Sequence, residues 1–286
     1  MTEKQNQKQA NPLAQFYRQE AFRVKLPSRG AYYDESIIVL DDNLEIGIIP
    51  MTSQDEQTLK TPDALLTGKA LVDVIKSCVP DVKNPKGLLA CDIDAIMISI
   101  RRASYGDEAD MSSECPKCEK ENTYGVDLET IVNNTETLES SYEVVLPQGL
   151  TVFLMPGTFD TLIKQYKVAF ENQKAQRAMT HGASEEAAIH LFSKAFKDLT
   201  KLNFELVLNA IIKIIFTDEE GEEQEITNKK FIAEFLSNVD RSSVEIIDEK
   251  LAEINKVGIE RTYKAVCTEC SHTWDTSIEF NPVNFS

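Results

Sequence analysis

The chain has 286 residues, 30 of them basic and 47 acidic, for a formal charge of −17. That length buries a sizeable core without covalent staples, and that charge repels phosphate backbones and anionic lipid, which argues against nucleic acid as a partner. No run approaches the ~18 to 20 apolar residues of a membrane helix, so no membrane span is expected.

Residues 1–15 are rich in Gln, Lys and Asn and lack the apolar segment of a secretion signal. They read as a flexible arm, with Phe16, Tyr17 and Phe22 near its end as candidate partner-binding side chains that order on a neighbour.

Residues 16–110 form a β-then-helical region. Apolar and basic residues alternate as a strand over 21–26, Pro27-Ser28-Arg29-Gly30 supplies turn chemistry, and a second strand over 44–49 stops at Pro50. Thr52-Ser53 before Gln54-Asp55-Glu56 signals a helix start. A helix fits 62–79, where Leu65, Leu66, Leu71, Val74, Ile75 and Cys78 recur at helical spacing and Pro80 stops it. Another fits 92–105, with Ile93, Ile96, Met97 and Ile100 on one face, Asp92 and Asp94 as helix-start residues and Gly106 as its end.

From 114 to 154 the pattern turns to short strands, with a hairpin of 144–146 and 151–154 around Pro147-Gln148-Gly149. Thr158 can cap a helix with the stripe Phe159, Leu162, Ile163, Tyr166, Ala169 and Phe170, and His181-Gly182 breaks the chain after it. Further helices carry Ile189, Leu191, Phe192, Phe196 and Leu199, then Leu202, Phe204, Leu206 and Ile211. Strands at 211–217 and 225–227 flank an acidic tip in which Gly221 suits a hairpin turn. Helices over 228–237 and 242–255 lead to the last strands. The fold class is α+β: a mainly helical body with short β elements and a zinc-ribbon-like module. That module is split between 111–135 and 259–286, with 136–258 an inserted, mostly helical domain carrying a β-hairpin.

The chemistry lies in Cys115-Pro116-Lys117-Cys118 and Cys267-Thr268-Glu269-Cys270. Six cysteines without a secretion signal suit a reducing compartment, where paired thiols bind metal or do redox work more often than they form structural disulfides. Two residues between thiolates let both sulfurs converge on one ion, and Zn2+ suits four such ligands in a tetrahedron. Roughly 150 residues separate the pairs, where compact ribbons use about 15 to 20. Loop-closure cost grows only logarithmically, so an inserted domain with neighbouring ends is compatible with one shared structural site. Two separate redox pairs, a rubredoxin-like iron site and disulfides are the alternatives. Cys78 and Cys91 sit among apolar helical residues and read as inert, while His272 reads as a polar strand residue. His181 and His190 have no partner motif, and no G-x-S-x-G, P-loop, H-E-x-x-H or G-x-G-x-x-G occurs, so no catalytic residue is assigned.

Leu26-Pro27-Ser28-Arg29-Gly30, Met51-Thr52-Ser53-Gln54-Asp55-Glu56, Leu88-Leu89 with Asp92, Arg101 with Ser104-Tyr105-Gly106, and Cys115-Pro116-Lys117-Cys118 follow one another in an order that resembles the baseplate hub assembly protein family of T-even-type contractile-tailed bacteriophages. The resemblance covers about residues 22–130, with looser similarity further on. It implies a non-enzymatic part in the hub or wedge of a tail baseplate, in several copies, with other baseplate and tail proteins as partners. The location implied is the virion tail baseplate, after assembly in the host cytoplasm. A tail-assembly chaperone absent from the virion and a zinc-ribbon nucleic-acid adaptor are the rival readings.

Overall fold

The computed structural model describes residues 11–61, 68–180, 185–260 and 262–277; within helices, the side chains of 172, 174–180 and 185–192 fall outside that description. Residues 1–10 of the expected arm, Leu65 and Leu66, and the expected break at His181-Gly182 lie outside the described residues, as does the His190 side chain.

The chain enters through a short 3-10 turn, Pro12–Phe16, that buries none of its residues. It is tied down by Arg18, whose guanidinium donates to the carbonyls of Pro50 and Ser77 and pairs with Asp55 at 3.1 Å. Strands β1 (Phe22–Lys25) and β2 (Glu45–Ile48) pair antiparallel, Phe22 opposite Ile48. Helix α1 (Ser53–Leu59) starts as its sequence dictates: the Thr52 hydroxyl accepts the Asp55 N–H, and the Asp55 carboxylate accepts the Thr52 N–H. Helix α2 (Lys69–Cys78) buries Ala70, Val74, Ile75 and Cys78.

Helix α3 (Ala90–Tyr105) is the central element because two of its faces are apolar. Ile93, Ile96, Met97 and Ile100 close the first core with β1, β2 and α2. Ala95 and Ile98 turn to a smaller core with Ala109, Leu128, Val132 and Ile259, which joins the first half of the chain to its last part.

The second core lies on a four-stranded antiparallel sheet in the order β5 (Tyr142–Val145), β6 (Thr151–Leu154), β7 (Ile211–Thr217), β8 (Glu223–Ile226). Both expected hairpins are present, and they join into one sheet through β6 and β7, Val152 facing Ile214. Residues 136–258 therefore carry two hairpins joined into one sheet beside their four helices. Helices α7 (Lys229–Asn238) and α8 (Arg241–Ile254) cover it through Ile232, Leu236, Ile247 and Leu251.

Between β6 and β7 run the long helices α5 (Phe159–Thr180) and α6 (Glu185–Ala210). The expected stripe on α5 is only partly covered: Phe159 is buried, whereas Tyr166 and Phe170 are exposed. Two further hairpins complete the fold, β3 (Glu108–Glu114) with β4 (Glu121–Asp127) and β9 (Thr262–Val266) with β10 (Thr273–Ser277), and the short α4 (Leu128–Asn133) follows β4. Among the described residues the architecture is α+β, eight α-helices with several small sheets. Among the described residues no helix is long and apolar enough to cross a membrane.

Candidate metal centre

Each cysteine pair sits at the tip of one of these two hairpins, and the tips are built alike. In the first, the Cys115 N–H donates to the Lys120 carbonyl at 2.9 Å and the Glu119 N–H to the Cys115 carbonyl at 2.9 Å. In the second, the Cys267 N–H donates to the His272 carbonyl at 2.9 Å and the Ser271 N–H to the Cys267 carbonyl at 3.0 Å. The residue after each second cysteine is left-handed, Glu119 at φ 59° and Ser271 at φ 55°. That turn lets the strand resume while both sulfurs of a pair point to the same side. Two segments roughly 150 residues apart thus form the same knuckle twice.

The knuckles face each other. Cys115 Sγ lies 3.7 Å from Cys270 Sγ, Cys118 Sγ lies 3.5 Å from Cys267 Sγ, and all four sulfurs fall within 4.8 Å of one another. A disulfide needs about 2.05 Å between sulfurs, so these are four separate thiols. A tetrahedron of sulfurs about 2.3 Å from a common ion has edges of about 3.8 Å, close to these two separations. The donor set therefore fits a metal ion of tetrahedral, thiolate-binding chemistry. Cys115 and Cys267 are buried, Cys270 is half-buried and Cys118 is exposed. Among the described residues no His, Asp or Glu joins the four cysteines in this group. The ring of His272 lies parallel to that of Trp274, 6.3 Å away.

Backbone amides begin the work of a cation. The Cys267 sulfur accepts the N–H groups of Cys270 at 3.5 Å and Glu269 at 3.4 Å, and they hold its thiol down to about 6. Cys118 moves the other way: the Lys120 amide pulls it down, but the thiol of Cys270, burial and the thiol of Cys267 push it up to about 12. Four adjacent thiols cannot all shed their protons unaided, because each thiolate repels the next; a bound cation removes that penalty.

No motif in the chain points to Asn122, which clasps the knuckles together. It is buried at the start of β4. Its Oδ1 accepts both the N–H and the hydroxyl of Thr268, at 2.9 and 3.0 Å, and its Nδ2 donates to the Lys120 carbonyl at 2.8 Å and faces Cys267 Sγ at 3.7 Å. Behind it Tyr124 of β4 stacks on Tyr263 of β9, ring centres 4.7 Å apart. A buried asparagine within one knuckle that hydrogen-bonds the other could be found only once the two were known to meet.

The other candidate residues are placed as follows. Phe16 and Tyr17 are exposed on the entering segment. Phe22 is half-buried against the first core, with the Arg102 guanidinium 4.8 Å over its ring. Cys78 is buried, and burial pushes its thiol up to about 11; Cys91 is pushed up further by burial among the α3 carboxylates. The acidic tip is a turn in which the Asp218 carboxylate accepts the N–H groups of Glu220 and Glu222.

Compared with known families, the chain matches one described as T4 bacteriophage base plate protein over residues 21–285. The match runs well past residue 130, where the closer resemblance ends, and takes in both cysteine pairs. Comparison with curated proteins gives no match, and comparison with solved structures gives none.

Proposed function

Because the chain belongs to the T4 bacteriophage base plate protein family, matched from residue 21 to residue 285, we propose that it is a passive building block in the hub or wedge of a contractile-tail baseplate. In this reading it is non-enzymatic, present in several copies and fixed in shape by one structural zinc ion on Cys115, Cys118, Cys267 and Cys270. The zinc assignment rests on four sulfurs, two from each half of the chain, within 4.8 Å of one another. Zinc accepts four thiolates in a tetrahedron and has no redox change of its own.

Four protein ligands fill such a site, so it offers no position for a substrate. Its role is mechanical. It joins 111–135 to 259–286 as one ribbon-like module and closes the chain around the inserted 136–258. A part that docks on several neighbours gains from a fixed shape, since fewer residues then order on docking. The entering segment, with Phe16 and Tyr17 exposed, is positioned to reach a neighbouring baseplate protein.

The test is a count of this chain in purified virions by quantitative mass spectrometry, with cryo-electron microscopy of the baseplate. A fixed number of copies per particle, sited in the baseplate, supports the reading. Finished virions without the chain would make it an assembly factor instead.

A further inference from the structure

The turn after β1 holds an arginine in a conformation that arginine resists. Arg29 and Gly30 are the central residues of a turn closed by the Ala31 N–H on the Ser28 carbonyl at 3.0 Å, with φ of +50° and +80°. Positive φ at both centres is the pattern of a type I′ turn, which Gly, Asn and Asp dominate. Glycine is required at 30, where a Cβ would stand 2.4 Å from Leu40 Cδ1. No such contact calls for arginine at 29, and its Cβ is disfavoured in the left-handed region.

The turn is anchored from beneath by hydrogen bonds. Ser28 is buried; its N–H donates to Asp92 Oδ1 at 3.0 Å, and its hydroxyl accepts the Gly30 N–H at 3.1 Å. The Tyr33 hydroxyl donates to Asp92 Oδ2 at 2.5 Å while accepting the Leu89 N–H at 2.7 Å. Asp92 itself is fully buried in the first turn of α3.

Among the arginines whose side chains are described, Arg18, Arg23, Arg101, Arg102 and Arg241 all make hydrogen bonds or ion pairs. Arg29 is exposed, and its guanidinium makes none among the described residues. It lines a polar cavity of about 700 Å³ with Lys25, Arg102, Glu45, Asp107 and Glu129. The carboxylates there are already matched: Glu45 lies 3.9 Å from Lys25, and Asp107 and Glu129 lie 2.9 and 3.5 Å from Arg102. One guanidinium is left over, in a chain of charge −17.

We propose that Arg29 is a docking residue for a carboxylate of a neighbouring baseplate protein, an Asp or Glu side chain or a chain terminus; this rests on the baseplate reading above. The guanidinium offers parallel N–H donors in the fork that a carboxylate fits. Strain held in place by its surroundings is a mark of positions kept for a contact rather than for stability. The surrounding negative charge repels a polyanion, so a single protein carboxylate is favoured over nucleic-acid phosphate.

The experiment complements a phage deleted for this gene with plasmids carrying wild type, R29K, R29Q or R29G. Assembled baseplates are counted by electron microscopy, and melting temperatures of the purified full chains are measured alongside. R29Q and R29G should lower the baseplate count about tenfold or more, with R29K between them and wild type. R29Q should melt with wild type, and R29G should melt higher because its φ is no longer strained. A smaller loss in R29Q and R29G, or a loss explained by a lowered melting temperature, overturns the proposal. Wild-type chain that binds labelled DNA through Arg29 at physiological salt would overturn it in favour of phosphate. If the empty plasmid also yields normal baseplates, the baseplate reading itself fails; normal yield from R29Q beside a failing empty plasmid removes only the Arg29 assignment.

Discussion

Replacing Asn122 with alanine should weaken metal binding without touching a ligand. The two hydrogen bonds that Asn122 Oδ1 accepts from Thr268, at 2.9 and 3.0 Å, cross from one knuckle to the other. At about 1 kcal/mol net for each bond, N122A loses about 2 kcal/mol of attraction between the halves of the site. Binding of one ion needs both halves docked, so that loss appears in the zinc dissociation constant as a rise of about 30-fold. Removing such a supporting partner elsewhere typically costs about 10- to 100-fold. The assay is competition between the full chain and a chromophoric chelator, with N122D as a second variant. Aspartate keeps an acceptor for Thr268 but adds a negative charge beside the sulfurs, so it should bind zinc no better than N122A. An N122A dissociation constant within about twofold of wild type would refute the claim that Asn122 preorganises the site.

Other expectations follow from the same structure. Stripping the metal should raise amide hydrogen exchange in β3, β4, β9 and β10 while the four-stranded sheet stays protected, because among the described residues the hairpins share no buried cluster with that sheet; a uniform rise across the chain contradicts this. I96A, at a fully buried position in the middle of α3, should cost about 2 to 5 kcal/mol in urea unfolding, and a loss below about 1 kcal/mol would remove α3 from its central place. Asp240 caps α8, and the hydroxyl of Ser242 with the N–H of Ser243 holds its carboxyl down to about 2. The native state therefore binds that proton more weakly than the unfolded chain, and the stabilisation is present above the usual value of 3.8 and lost as pH falls toward 2. D240N should accordingly be less stable than wild type near neutral pH and equal to it at about pH 2; a gap independent of pH contradicts the assignment.

Local chemistry was readable from the chain wherever neighbours in sequence are neighbours in space. The Thr52 cap, the Gly106 stop of α3 and the turn at Gly149 need only a few adjacent residues, and each stands where propensity puts it. The cysteine pairs were visible because their spacing is itself local. The edge-to-edge pairing of β6 with β7 was not, since strand period says which face is apolar and nothing about which distant strand lies alongside. β3 was overlooked for a related reason: Glu-Ala-Asp-Met-Ser-Ser-Glu has little strand propensity, and its pairing with β4 overrides that. Asp92 does lie in the first turn of α3, as read, but its carboxylate serves Ser28 and Tyr33 across more than 50 residues of sequence. Tyr166 and Phe170 follow the helical period and are nonetheless exposed, because period fixes a face and not what covers it.

The most direct test of the clamp is metal analysis of full-length chain purified without chelator, joined to X-ray absorption at the metal edge. One zinc per chain in a shell of four sulfurs at about 2.3 Å, lost together with the ordered hairpins in C267S, is the expected result. Iron in that shell, nitrogen or oxygen ligands in place of sulfur, or a folded chain that carries no metal at all would contradict it.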